Sequence, residues 1–214
     1  MTDSPPPDAE QPIGLDLVAP EALEPLMRRA AVIASAVAVG VGALVGLFLG
    51  PVFGIVVALA VAVPAVGVFL AARRRRLWLA GNTLHARTPW RTRRLEVPAV
   101  TGVELLIYPG RISRVVLRLT AGPDRQLVPL AMYTDAGSGR ELHLLGLRRL
   151  ADVLYRSELA AGVAVADLLV HQLRAEARDA GLPERPLYRA VTSARAKDYV
   201  APIVLTDQEI AALY

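Results

Sequence analysis

Cysteine is absent from all 214 residues of this chain, and histidine is limited to His85, His143 and His171. The lack of cysteine excludes disulfides and cysteine-ligated metal sites. The three histidines are far apart in the sequence, and none lies in an H-E-x-x-H pattern. A glycine loop followed by G-K-[ST], which would bind phosphate, is missing too. We therefore expect no enzyme activity, cofactor or metal, and a catalytic site assembled only by folding is the weaker hypothesis.

Charge is missing from residues 30–72, a run of 43 residues in which Ser35 is the only clearly polar side chain. About 20 apolar residues cross a hydrocarbon core of about 30 Å, so the run is too long for one span and fits two. Gly50-Pro51 in its middle is a typical turn dipeptide. A buried helical pair in a soluble protein is disfavoured by the length of the run. The pattern predicts a transmembrane hairpin over 28–72, with helices over 30–49 and 52–72.

Basic residues flank only one end of this hairpin. Two arginines precede the first helix, four follow the second, and the turn is uncharged: Arg28, Arg29, Arg73, Arg74, Arg75 and Arg76. Because positive residues stay on the cytoplasmic side, both termini are expected in the cytoplasm, with the helices in the inner (cytoplasmic) membrane. Neither span holds an ionisable residue, which argues against a pump or an ion-coupled transporter.

Small residues recur every four positions along both predicted helices. They are Ala34, Ala38, Gly42, Gly46 and Gly50 on the first helix, and Gly54, Ala58 and Ala62 on the second. This spacing lets helix backbones approach closely. It predicts a helix–helix interface, either within the hairpin or between copies of the chain in a homo-oligomer.

Residues 1–27 contain six acidic side chains, six prolines and no basic side chain. Such a composition is typical of disorder, so we expect an unstructured leader of no specific function.

Short apolar runs separated by turn residues follow the four arginines. They predict strands over Leu77–Ala80, Thr83–Thr88, Arg94–Val97, Val100–Ile107, Ser113–Thr120 and Gln126–Tyr133. Val115, Leu117 and Leu119 alternate with polar residues, which is typical of a strand with one buried face. Pro129 indicates an edge strand or a bulge. Strands this short and closely spaced favour an antiparallel barrel or sandwich.

Amphipathic helices are expected after the strands. The first has the apolar face Leu147, Leu150, Ala151 and Leu154. The second, over residues 159–180, has the apolar face Val163, Ala166, Leu169, Val170 and Leu173. Near the C-terminus, Thr206 and Glu209 form a T-x-x-E pattern that predicts a capping box.

Two apolar spans, a basic junction and the segment RLWLAGNTLHART…RRLEVPAVTGVEL resemble the membrane-tethered bacterial pleckstrin-homology-like (PH-like) proteins. The matching features are L-x-L-x-G-N-x-L, the Val97-Pro98 step and the V-x-L after it, within about residues 30–158. The resemblance implies a bent antiparallel barrel closed by a C-terminal helix over 73–158. It implies an interaction domain and does not imply phosphoinositide binding. A small OB-like barrel is the alternative fold, and 159–214 is a helical extension beyond the match.

Arginine also surrounds the second tryptophan, in the segment Arg87–Arg94. Anionic headgroups attract such residues by about 1 kcal/mol each near the surface. The predicted membrane-interface set is Arg28, Arg29, Arg73, Arg74, Arg75, Arg76, Trp78, Trp90, Arg91, Arg93 and Arg94. Alternatively, the first arginines only set topology and this segment is solvated. Nucleic acid is disfavoured because no aromatic stacking platform accompanies the arginines.

These patterns together predict a membrane-anchored, noncatalytic PH-like module at the cytoplasmic face. It would bind an unknown protein partner, with anionic membrane lipid as a further ligand. The alternative is an accessory subunit of a larger membrane complex, assembled through the small-residue faces of its helices.

Overall fold

The computed structural model describes residues 12–17, 20–197 and 201–214. The first eleven residues of the leader predicted over 1–27 therefore lie outside the described residues, as do residues 18 and 19. The described residues fall into two compact units. Those of 18–76 and 87–92 form the helical unit, and those of 1–17, 77–86 and 93–214 form the α+β unit.

The helical unit consists mainly of two long apolar helices, α1 (Pro20–Leu49) and α2 (Pro51–Arg74). Gly50 joins them with a φ of +98°, a backbone conformation that glycine adopts without strain. Pro51 takes the first position of α2, where the helix needs no backbone N–H. The predicted turn is confirmed, while both helices extend past the predicted limits of 30–49 and 52–72. The spans Arg28–Leu49 and Pro51–Ala71 are long and apolar enough to cross a membrane.

Part of the predicted disordered leader is ordered. Strand β1 (Ile13–Gly14) pairs antiparallel with β2 (Arg76–Ala80), with Ile13 opposite Leu79. The Leu15 amide donates to the Leu77 carbonyl oxygen at 2.8 Å, and the Leu15 side chain is fully buried. The structure thus differs from the prediction over residues 12–17, because backbone pairing and burial of one leucine outweigh the polar composition of the segment. The predicted unstructured leader also differs from the structure from Pro20 onward, because α1 begins at that residue.

The first sheet contains β1, β2, β3 (Thr83–Arg87) and β4 (Thr92–Glu96), in that order. Gly81 lies in the turn between β2 and β3 with a φ of +57°. The alternating pattern buries Leu77 and Leu79 on β2 and Leu84 and Ala86 on β3, so one face of this sheet contributes to the core.

The second sheet is antiparallel and has the strand order β8-β7-β6-β5-β9. Its strands are β5 (Gly102–Tyr108), β6 (Ile112–Ala121), β7 (Asp124–Thr134), β8 (Gly139–Glu141) and β9 (Ile203–Leu205). The register between β6 and β7 shifts between Val115 and Val116, and Pro129 stands opposite Val116. Pro129 therefore lies at a bulge, as predicted, where its missing N–H disturbs the ladder least.

Helices cover the second sheet and complete the core. They are α3 (Leu144–Leu154), α4 (Ala160–Ala177), a short 3-10 helix (Leu182–Glu184), α5 (Pro186–Ala196) and α6 (Asp207–Ala211). The predicted apolar face of α3 is confirmed, since all four of its residues are buried. The predicted apolar face of α4 is wrong at its N-terminal end, where Val163 is 38% exposed. Val165, Leu168 and Gln172, which were not part of the predicted face, are fully buried. The predicted capping box at Thr206 and Glu209 is present.

Candidate functional site

The charged residues that flank the hairpin lie at one end of it. Contacts of Gly42 with Ala58 and of Gly46 with Gly54 show that α1 and α2 run antiparallel. Arg28 and Arg29 near the start of α1 therefore lie at the same end of the helix pair as the end of α2. Among the predicted residues at this end, Arg28, Arg29, Arg74, Arg75 and Arg76 are all exposed. The side chain of Arg73 lies outside the described residues.

The two tryptophans have opposite environments. Trp78, on β2 in the α+β unit, stacks on His85 with ring centroids 5.2 Å apart and is partly buried. Trp90 belongs to the helical unit and is 95% exposed. A tryptophan ring rarely remains in water without a partner, because its burial is worth more than that of most side chains. Of the two predicted interface tryptophans, only Trp90 is exposed.

A tight turn presents Trp90. Between β3 and β4, the Thr88 amide and hydroxyl both donate to the Arg91 carbonyl oxygen, at 2.9 and 2.6 Å. The Arg91 amide donates in return to the Thr88 hydroxyl oxygen at 3.2 Å. These bonds close the turn over Pro89 and Trp90, with Arg87 and Arg91 exposed beside it. The tryptophan is therefore presented by an ordered turn.

Arg93 and Arg94 are exposed but belong to the α+β unit, unlike Trp90 and Arg91. Arg93 lies 3.8 Å from an Asp124 carboxylate oxygen, a half-exposed pair of little energetic weight. The pKa of His85 is lowered by burial and by the nearby charge of Arg94. The predicted interface set therefore divides between the two units, with Trp78, Arg93 and Arg94 in one and the remaining residues in the other.

The small residues of the hairpin face each other within the chain. Ala38, Gly42 and Gly54 are buried, and Ala34, Gly46, Ala58 and Ala62 are partly buried. A Cβ atom added to Gly42 would lie 2.7 Å from the Gly54 carbonyl oxygen. Gly50 forms the turn. Of the two interfaces that the sequence left open, the structure contains the one within the hairpin.

A buried polar network lies elsewhere, in the α+β unit, and no sequence motif pointed to it. Glu141 on β8 accepts hydrogen bonds from the Tyr133 hydroxyl (2.5 Å), the Gln172 amide (2.8 Å) and the Arg185 guanidinium (2.7 Å). Gln172 in turn accepts from the Leu187 backbone amide at 3.1 Å. These bonds fasten α4 and the start of α5 to strands β7 and β8.

Glu176 lies beside this network, and its carboxylate oxygen Oε2 is buried without a hydrogen-bond partner among the described residues. Burial raises the pKa of Glu176, repulsion from Glu141 raises it further, and Arg185 opposes the shift. Burial and the Glu141 carboxylate also raise the pKa of Tyr133. Within the described part of the chain no group of three His, Asp or Glu side chains could hold a metal ion.

The three histidines have structural neighbours of their own. His85 stacks on Trp78, and His143 is the residue that precedes α3. His171 lies 2.9 Å from the Asp167 carbonyl oxygen through Nδ1 and stacks on Tyr214 at 4.2 Å. Next to it, the Tyr155 hydroxyl donates to Asp167 at 2.5 Å, which raises the pKa of Tyr155 to about 12. His85 and His171 are thus packing residues, whereas the side chain of His143 is exposed.

No protein-family model, curated protein or solved structure matches this chain.

Proposed function

We propose that this chain is a membrane-anchored, noncatalytic interaction module whose PH-like α+β unit binds a protein partner at the cytoplasmic face. The observation that carries the proposal is the exposure of the two apolar helices. Only 11% of the first span and 6% of the second are buried within the chain. A core helix of a soluble protein is mostly buried, so these surfaces need another apolar medium, and a bilayer supplies it.

The pairing of β1 with β2 supports a common side for both ends of the hairpin. Ile13 precedes α1 in the chain and Leu79 follows α2, yet the two are register partners in one sheet. Segments on opposite sides of a bilayer cannot share a ladder, so the chain crosses an even number of times between them. The arginines at the open end of the hairpin favour the cytoplasm as that side.

The strand order supports a PH-like unit. Strands β2, β3 and β4 are neighbours in the first sheet, β5, β6, β7 and β8 are neighbours in the second, and α3 follows directly. A run of antiparallel strands followed by one helix agrees with the bent antiparallel barrel and C-terminal helix that the resemblance implies. Two of its three histidines are stacked on aromatic rings, which suits this unit to binding more than to acid–base chemistry.

The membrane part of the proposal is tested by alkaline extraction and by thiol labelling. Because the chain has no cysteine, single variants such as Leu49→Cys beside the turn and Ser138→Cys in the α+β unit report one position each. We expect both variants to stay in the carbonate-washed membrane pellet. An impermeant maleimide added to intact cells should label Leu49→Cys and leave Ser138→Cys unlabelled. Release into the supernatant, or the opposite labelling, would contradict the proposal.

The partner is sought by crosslinking followed by affinity purification from detergent. A partner that is lost when residues 77–214 are deleted, while the hairpin still sediments with membranes, supports the module. The alternative, an accessory subunit assembled through its helices, predicts that bulky residues on the outer hairpin surface remove the partner. Gly40 and Gly67 have no atom within 4 Å of an added Cβ, so Gly40→Leu and Gly67→Leu alter that surface while sparing the inner interface.

A further inference from the structure

We propose that the turn between β3 and β4 is a second membrane contact, in which Trp90 enters the headgroup region and Arg87 and Arg91 bind the phosphates of anionic phospholipids. The inference rests on the proposed membrane anchoring and adds to it the lipid class and the residues that recognise it.

The turn is ordered and exposes its aromatic ring. Trp90 is 95% exposed, which is the highest value among the large apolar side chains of the described residues. Three hydrogen bonds between Thr88 and Arg91 hold the turn in this form. Little backbone conformational entropy therefore remains to be lost when the ring leaves water, and tryptophan prefers the headgroup level of a bilayer.

The turn is also strongly basic. Arg87 and Arg91 lie on either side of Trp90 in the sequence of the turn, and neither makes an ion pair with any acidic side chain in the described part of the chain. The segment from Arg87 to Arg94 contains no acidic residue at all. Two exposed guanidinium groups beside one aromatic ring suit a layer of phosphates above an apolar medium.

The turn and the two apolar helices form part of one compact unit. Residues 87–92 belong to the same compact unit as the two helices. The residues on either side of them, 77–86 and 93–214, belong to the other unit. The turn is thus part of the body that carries the apolar spans. Arginines at the open end of these spans, Arg74 and Arg75 among them, are exposed in the same way.

A lipid surface fits this turn better than a protein does. Protein interfaces place an aromatic anchor inside a larger apolar patch from which water is excluded. Here the neighbours of Trp90 in the turn are Thr88, Pro89 and Arg91, and Trp90 is the one large apolar residue of the segment Arg87–Arg94. One ring between two cations is complete as a bilayer contact and incomplete as a protein interface.

The fluorescence of Trp90 tests the proposal. The chain has two tryptophans, so the full-length variant Trp78→Phe leaves Trp90 as the only one. It is reconstituted in phosphatidylcholine vesicles with and without phosphatidylglycerol, in both cases with lipids brominated on the acyl chains. We expect a blue-shifted, quenched emission in vesicles that contain phosphatidylglycerol and a weaker effect without it. Emission typical of water and unquenched in both vesicles would overturn the proposal.

The arginines are tested in the same background. Arg87→Gln and Arg91→Gln should each lower the equilibrium constant for insertion of Trp90 into the headgroup region by about fivefold. High salt should lower this constant as well. A charge-matched control replaces two exposed arginines of the α+β unit, Arg178→Gln and Arg189→Gln, and should leave the quenching unchanged. Equal effects of the two pairs would overturn specific recognition at the turn.

Three further outcomes are separable. If Trp78→Phe does not fold, the difference between the natural chain and Trp90→Phe gives the emission of Trp90. If the protein leaves the vesicles on alkaline washing, the membrane anchoring itself is wrong. In the third outcome, the protein stays in the membrane and Trp90 is shielded from iodide in native membranes only, and its emission is never quenched in vesicles. A protein then covers the turn, and the lipid proposal is wrong.

Discussion

Gly42 and Ala58 pack so closely across the helical hairpin that a methyl group on Gly42 would lie 2.6 Å from the Cβ atom of Ala58. The two helices therefore depend on glycine at this position, and even alanine would force them apart.

We expect Gly42→Ala to lower the free energy of unfolding of the hairpin by about 1–3 kcal/mol, since overpacking displaces backbone as well as side chains. Helicity during titration with sodium dodecyl sulfate in mild detergent measures the loss. Gly40→Ala is the matched control, because nothing lies within 4 Å of its added Cβ. It should be neutral or slightly stabilising through helix propensity. Similar losses in both variants would contradict the close packing.

The ion pair of Glu141 with Arg185 leads to a second prediction. The Glu141 carboxylate is only 8% exposed, and the nearby Glu176 adds repulsion once Arg185 is removed. Arg185→Gln should therefore destabilise the α+β unit by about 3–5 kcal/mol, as does the loss of one partner from a buried pair. Urea unfolding in nonionic detergent measures the change.

Two controls accompany Arg185→Gln. Arg93→Gln removes an arginine from the half-exposed pair with Asp124 and should cost less than about 1 kcal/mol. Adding Glu141→Gln to Arg185→Gln removes the uncompensated charge and should restore part of the lost stability. If Glu141→Gln lowers the stability of the Arg185→Gln variant as much as it lowers the stability of the natural chain, the two residues are not coupled.

Glu176 predicts a pH dependence. Its folded pKa is raised above the ordinary value of 4.5, mainly by burial and then by Glu141, with Arg185 opposing. The stability that the protonated carboxyl contributes is fully present below pH 4.5 and is lost as the pH rises through the raised pKa. Glu176→Gln keeps a neutral side chain, so its stability relative to the natural chain should increase over this interval. A difference that stays constant with pH would refute the assignment.

Leu15 provides a fourth prediction, on the segment before the helices. Its side chain is fully buried in the core of the α+β unit. Leu15→Ala should lower the free energy of unfolding by about 2–5 kcal/mol, as for other buried leucines. Leu17→Ala, two positions later, removes the same atoms from a partly buried site and should cost clearly less. If both variants unfold like the natural chain, residues 12–17 do not contribute to the core.

Features encoded by local pattern were predictable from the sequence. The uncharged run predicted the two helices, and Gly50-Pro51 predicted the turn between them. The apolar period from Leu147 to Leu154 predicted the buried face of α3. Pro129 gave the bulge in β7. Each of these depends on residues that are close in sequence, so composition and spacing are enough.

Features that depend on distant partners were not predictable. The two-residue strand β1 has no period of its own, and its partner lies beyond both helices. The three donors to Glu141 come from a strand, a helix and a loop with no shared motif. Helix α4 packs against α3, α5, α6 and β5, so its buried face is wider than the one stripe that the sequence indicated.

The different environments of Trp78 and Trp90 could not be predicted from the sequence either. Both lie among arginines in the sequence, and the interface set included both. Only folding shows that Trp78 has a stacking partner in His85 and that Trp90 has none among the described residues.

The strand that precedes the helices has a consequence for biosynthesis. A ribosome releases Ile13 and Gly14 first, while their partners Trp78 and Leu79 emerge only after the whole apolar hairpin has been made. If the hairpin spans the bilayer, as we propose, the first sheet can be completed only after both helices have been inserted and the chain has returned to its starting side. On that proposal, a chain with only one helix inserted could not pair β1 with β2, and Leu15 would lack the site in which it is buried here.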